Sequence, residues 1–111
     1  MSLQDGELHR MRKVEAVVEA EDVKLVEDAL RDAGLGGWTI LRDVAGMGHG
    51  GFHQARTIFN DRTGLVMFVG VGPAEAVAHA ARNIGRIFMH KPGVLFVSDV
   101  EVLRSDYFVA A

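Results

Sequence analysis

Four of the thirteen glycines in this 111-residue chain fall within six residues, Gly46-Met47-Gly48-His49-Gly50-Gly51, with Phe52-His53 directly behind them. Glycine reaches positive φ without a Cβ clash and lets backbone N–H groups close on an anion, yet it loses more chain entropy on ordering than other residues. The stretch therefore reads both as an anion cradle and as a free loop. A loop of this kind set between rigid elements is a natural recognition segment. His49 and His53 are four apart and could approach one metal ion from a helix, but Gly50-Gly51 works against a helix and no thiolate accompanies them. Metal binding through His49 and His53 is thus the alternative reading, and no metal site is assigned. No serine or cysteine nucleophile stands beside a patterned base, so the chain does not read as an enzyme.

The elements that must position this loop follow from periodicity. Val14, Ala16 and Val18 alternate with Glu15, Val17 and Glu19, which predicts a strand over about 12–19. Asp22 is placed to cap a helix in which Val23, Val26, Leu30 and Ala33 recur at three- and four-residue spacing, with Gly34 as its C′ residue. Asp22, Glu27, Asp28 and Asp32 read as the polar face of that helix. Trp38 to Val44 has the aromatic and β-branched content of a second strand, leading into a loop over about 46–63. Asn60-Asp61-Arg62-Thr63-Gly64 is turn chemistry, and the apolar run 65–71 predicts a central strand buried on both faces. Gly72-Pro73 opens a second helix with proline at its first position and Gly85 at its end. A last strand is expected over 94–103.

This order gives an α+β, ferredoxin-like βαββαβ domain: a four-stranded antiparallel sheet with two helices on one face. The strands are apolar on both sides, so the second face is expected to meet another subunit. Residues 1–10 read as a disordered lead-in and 11–111 as one domain. A net charge of −3 gives no general pull toward nucleic acid, and with no cysteine, disulfides and thiolate metal sites are excluded. The longest apolar runs are far short of the roughly 20 residues needed to span a bilayer. A reducing, cytoplasmic setting fits this composition.

Met11-Arg12-Lys13-Val14-Glu15-Ala16-Val17-Val18, Gly37-Trp38-Thr39-Ile40, Gly46-Met47-Gly48 and the run from Leu95 to Arg104 resemble the PII signal-transduction family over about 11–104. The resemblance implies a homotrimer with sheets facing inward, an adenine nucleotide in each cleft between subunits, and a long T-loop that touches the regulated transporter or enzyme. The glycine-dense segment sits where that loop begins. By the resemblance, Gly37, Thr39, Gly46, Gly48, Arg86, Lys91, Gly93 and Arg104 are the nucleotide-binding candidates, with Thr39 toward the adenine. Arg86, Lys91 and Arg104 would supply cations to the phosphates, where guanidinium binds as a fork and ammonium as a point charge.

The departures from the family pattern are informative. Where a standard member has glycine-phenylalanine-glycine-arginine-glutamine, this chain has Gly46-Met47-Gly48-His49-Gly50, so the glutamine that helps bind magnesium and 2-oxoglutarate is Gly50. The loop is shorter, and the chain's one tyrosine, Tyr107, lies outside it, which excludes uridylylation at the usual place. The second phosphate segment, normally Thr-Gly-x-x-Gly-Asp-Gly-Lys, is replaced by Ile84 to Gly93. The chain thus resembles divergent PII-like members that accompany bicarbonate transport, carboxysomes or metal efflux. The reading is a regulator binding ADP, AMP or ATP, with no obligatory cofactor, whose loop orders on ligand binding and acts on an unidentified target such as a transporter or carboxysome component. His49, Gly50 and Arg56 are the candidates for a small anion such as bicarbonate. The alternatives are a metal-binding trimer of an efflux system and a purely structural trimer.

Overall fold

Small or β-branched apolar residues at every second position extend a backbone and load one of its faces. In the computed structural model, which describes residues 7–48, 51–53 and 64–108, strand β1 spans His9–Glu19 and buries Val14, Ala16 and Val18. It begins earlier than its alternation predicts. His9 and Arg10 pair with Val102 and Glu101, so the lead-in assigned to 1–10 gives way to strand at His9. Polar side chains at the end of a sheet break the hydrophobic period while the backbone ladder runs on.

A 3-10 turn, Ala20–Asp22, leads into helix α1, Val23–Asp32, whose Val26, Ala29 and Leu30 are buried. Asp22 forms no side-chain cap bond and is not on the polar face: it is buried, 2% exposed. Gly34 closes the helix at φ +91°. Its N–H donates to the Arg31 carbonyl (3.0 Å) and that of Leu35 to the Leu30 carbonyl (3.3 Å), the paired bonds of a Schellman motif.

Strands β2 (Thr39–Val44), β3 (Gly46–Gly48), β4 (Gly51–His53) and β5 (Leu65–Gly72) follow, then helix α2 (Ala74–Ile87) and strand β6 (Gly93–Val102). A second 3-10 turn, Ser105–Phe108, comes after β6. Pro73 is the N-cap of α2, not its first residue, and the helix continues through Gly85 to Ile87. The Phe88 N–H still donates to Ile84, so the apolar spacing of Ile84, Ile87 and Phe88 carries the helix past the glycine.

The main sheet has the order β2-β5-β1-β6, antiparallel throughout, which with α1 and α2 is the ferredoxin-like βαββαβ arrangement. Ile40, Phe68, Ala16 and Leu95 form one row of its helix face. Phe68 is 1% exposed there. The Schellman turn swings Leu35 into the same layer, over two glycines of β5. A Cβ on Gly72 would stand 2.6 Å from Leu35 Cδ2, and one on Gly70 3.3 Å from Cδ1. Asn83 Nδ2 donates to the Ala29 carbonyl at 3.1 Å and ties α2 to α1.

The opposite face carries the row Leu41, Met67, Val17 and Val94, and beside it Thr39, Val69, Glu15 and Phe96. Phe96, Val94 and Leu41 are 58%, 50% and 44% exposed. β5 is therefore central but buried on one face only, where its sequence predicts two. Among the side chains of this face Lys13 Nζ and Glu15 form an ion pair at 3.6 Å. Replacing Leu35 by Ala is expected to lower the free energy of unfolding by about 2–5 kcal/mol. In urea, at fixed protein concentration, the midpoint should fall with little change in slope; an unmoved midpoint would mean that Leu35 is not a core residue.

Candidate functional site

Val44 pairs with Leu65, Leu65 with Glu19, and Val18 with Gly93. The end of β2 and the turn before β6 thus leave the sheet at the same end, about 15 Å apart by strand spacing. β2 reaches that end through a register break between Arg42 and Val44, with Asp43 at φ 59°. This is the left-handed region, which aspartate tolerates far better than branched residues. One further pair, Val44 with Leu65, ends the ladder beyond this irregularity. Beyond it Gly46, Met47 and Gly48 pair with His53, Phe52 and Gly51 as a two-stranded ribbon.

The expected loop therefore starts as a paired ribbon. Among the described glycines only Gly34 has positive φ, so Gly46 and Gly48 do not adopt the alternating-handed backbone of an anion nest. A phosphate meeting them would meet the edge of an extended ribbon. His49, Gly50 and Arg56 lie outside the described residues, and His53 enters through its backbone pairing alone.

The other segment at this end is the turn 88–92. It is wound tightly on the last residues of α2: the Met89 N–H donates to Arg86, and those of His90 and Lys91 both donate to Ile87. Gly93 then passes against the Phe88 ring so closely that a Cβ would overlap it, with Cζ 2.6 Å away. Lys91 extends from this turn to Asp22 Oδ1, Nζ to oxygen 3.4 Å. Asp22 is the buried charged residue of the described chain, and its Oδ2 has no hydrogen-bond partner among the described residues. Its residue type points to a cap, but its position in the sequence carries a signal for burial as well. Positions 22, 26, 29 and 33 are four, three and four apart, which places Asp22 on the buried stripe of α1.

The remaining candidates are dispersed. Thr39 is exposed on the edge strand, level with Val69 in mid-sheet, and Gly37 precedes it in open space. The Arg31 guanidinium lies 5.5 Å over the Trp38 ring between them. Arg104 follows β6 at the far end of the sheet, and the length of that strand alone separates it from Gly93 by about 30 Å. Arg86 Nη1 donates to Asn83 Oδ1 at 2.8 Å and lines a groove between the helices with Leu25, Asp28, Asp32 and His79. There the hydrogen bond from Lys24, helped by Arg31, holds the Asp28 carboxyl below the usual range despite some desolvation. One chain thus brings Gly46, Gly48, Lys91 and Gly93 to one end of the sheet and leaves Arg104 at the other. Among the described residues no group of three or more histidine, cysteine, aspartate or glutamate side chains gathers to hold a metal ion, and no helix is long and apolar enough to cross a membrane.

A four-stranded antiparallel sheet covered on one face by two helices, with a glycine ribbon leaving one edge strand, defines the ferredoxin-like class of small α+β domains. The family description Nitrogen regulatory protein P-II matches residues 11–107, and the chain belongs to that family. Among solved structures, CPII of Thiomonas intermedia K12, described as a nitrogen regulatory PII-like protein bound to ADP, AMP and bicarbonate, is 29% identical. The similarity covers 92% of this chain and 96% of that one, with a TM-score of 0.85. A PII-like signalling protein of Thermus thermophilus shares the fold at 22% identity, TM-score 0.69, over 93% and 99% of the two chains. GlnK of B. subtilis, in its ATP complex, shares it at 18% identity, TM-score 0.58, over 82% of each chain. A comparison with curated proteins finds no match.

Two glycines separate the local demands of this end. Gly93→Ala must move the Phe88 ring and is expected to lower stability by about 1–3 kcal/mol. Gly85→Ala, inside α2 with open space around it, is expected to raise stability by about 0.5–1 kcal/mol. Thermal unfolding of both variants checks the pair; equal shifts of the same sign would contradict the packing described. Asp43→Val should lower stability by about 1–2 kcal/mol for the left-handed backbone it would have to hold.

Proposed function

We propose that this protein is a trimeric PII-like regulator that binds ADP or AMP in the clefts between its subunits and responds to a small anion such as bicarbonate. The observation that carries the reading is the similarity to CPII, 29% identical over 92% of this chain and described as bound to ADP, AMP and bicarbonate. The dispersal of the candidate residues supports a shared site. Lys91 and Arg104 are too far apart in one chain to meet one nucleotide, whereas neighbouring subunits can bring opposite sheet ends together. The open apolar face, with Phe96 58% exposed, supplies the surface that such an assembly would bury.

In this reading Thr39 and Gly37 receive the adenine, and Lys91, Gly93, Gly46, Gly48 and Arg104 surround the phosphates. Arg86 stands at the margin of the site, and His49, Gly50 and Arg56 receive the anion. The role is regulatory, without turnover. Ligand contacts with the arm offset its ordering entropy and change the surface that a target protein meets. A target in inorganic-carbon handling, in the cytoplasm, fits the bicarbonate reading.

Calorimetric titration of the wild-type protein with AMP, ADP and ATP, with and without bicarbonate and then with zinc, copper or nickel, tests it. Saturable binding of ADP or AMP is expected; heat from metals alone would overturn the reading in favour of a metal-binding trimer. Arg104→Ala should weaken ADP binding ten- to hundredfold, about 1.5–3 kcal/mol for a charged hydrogen bond. That loss should exceed any fall in stability read from thermal unfolding of the same variant. His49→Ala should leave nucleotide affinity within about threefold, the scale of one weak neutral hydrogen bond.

A further inference from the structure

The ion pair between Asp22 and Lys91 sets a negative charge directly behind the cation expected to meet phosphate. We infer that Asp22 determines how many phosphates the site accepts, by sharing Lys91 with the ligand and opposing each added phosphate charge. The inference rests on the nucleotide reading above and deepens it.

Three features of the pair support this. First, Asp22 stands at the start of α1 yet makes no cap bond to that helix. Its carboxylate is turned toward Lys91, 3.4 Å away, and its second oxygen is buried without a hydrogen-bond partner among the described residues. A carboxylate kept for stability alone would be expected to satisfy both oxygens. Second, exposure is unequal: the Asp22 side chain is 2% exposed and that of Lys91 43%. The ammonium bridges a buried anion and solvent, so a phosphate can reach its outer side while Asp22 stays behind it. Lysine has three donors and can serve both. Third, a charge buried in this way is poorly screened by salt, so its effect on a phosphate a few ångströms further out persists at physiological ionic strength.

The arithmetic of charge then differs between ligands. Lys91 and Asp22 together are neutral, so the turn contributes hydrogen bonding to a first phosphate but little net attraction to those that follow. Wild-type protein is expected to bind ATP no more tightly than ADP. Asp22→Asn keeps the shape and removes the charge. It should raise affinity for ATP relative to AMP by roughly tenfold, the scale of a unit charge at this distance in a partly solvated site.

The test is calorimetry of AMP, ADP and ATP with wild type, Asp22→Asn, Lys91→Gln and the double variant, each checked by circular dichroism and sedimentation. Support is a shift of the ATP-to-AMP affinity ratio in Asp22→Asn that shrinks when Lys91 is also replaced. An unchanged ratio, or an equal loss of affinity for all three nucleotides, would overturn the inference and leave Asp22 as a prop for the turn. If Asp22→Asn does not fold, the wild-type series decides: ATP bound tighter than ADP would overturn it, and ATP bound no tighter than ADP would support it. Wild-type protein that binds none of the three fails the nucleotide reading itself, a result distinct from binding with unaltered selectivity.

Discussion

A sheet of four strands has two faces, and α1 and α2 can close only one of them. Across the other run Leu41, Met67, Val17 and Val94, and next to them Phe96 and Val69, with the Lys13–Glu15 pair as the charged interruption. Water is a poor neighbour for such a surface. In the trimer we propose, the need to cover it is also what builds the binding site, since a shared interior brings the ends of different sheets into register. Assembly and ligand recognition then draw on one constraint and cannot be separated by mutation of the open face alone.

The end of the sheet that carries the ribbon is organised by one close approach and a set of polar contacts. Gly93 passes the Phe88 ring, the turn 88–92 is bonded to the last carbonyls of α2, and Lys91 reaches inward to a buried carboxylate. These hold the basic turn in place without a ligand. On the other edge strand the glycine ribbon is held by its backbone pairing of Gly46, Met47 and Gly48 with His53, Phe52 and Gly51.

The fold was legible in the sequence because its signals are periodic and local. Alternation marked β1, three- and four-residue spacing marked α1, and Gly34 stopped that helix as its φ requires. The errors came where a tertiary contact overrides a local rule. Gly85 did not end α2, because Ile84, Ile87 and Phe88 still had a sheet to pack against. Asp22 carries the residue type of a cap and sits at the cap position, and only the opposite partner, Lys91, sixty-nine residues on, explains why it turns inward. For the candidate residues, the sequence offered their types but not their placement: Lys91 and Gly93 lie at one end of the sheet and Arg104 follows β6 at the other, a separation that only the strand register reveals.

The register break at Asp43 has an effect beyond turning the chain. One pair, Val44 with Leu65, follows it and ends the ladder of β2 with β5, so whatever comes after Val44 is no longer counted against that ladder. Residues can be added to or removed from the arm without shifting Ile40 off Phe68 or exposing a buried row. The joint works as a socket: the body keeps its register whatever length of chain is plugged into it, and the sheet beneath stays the same.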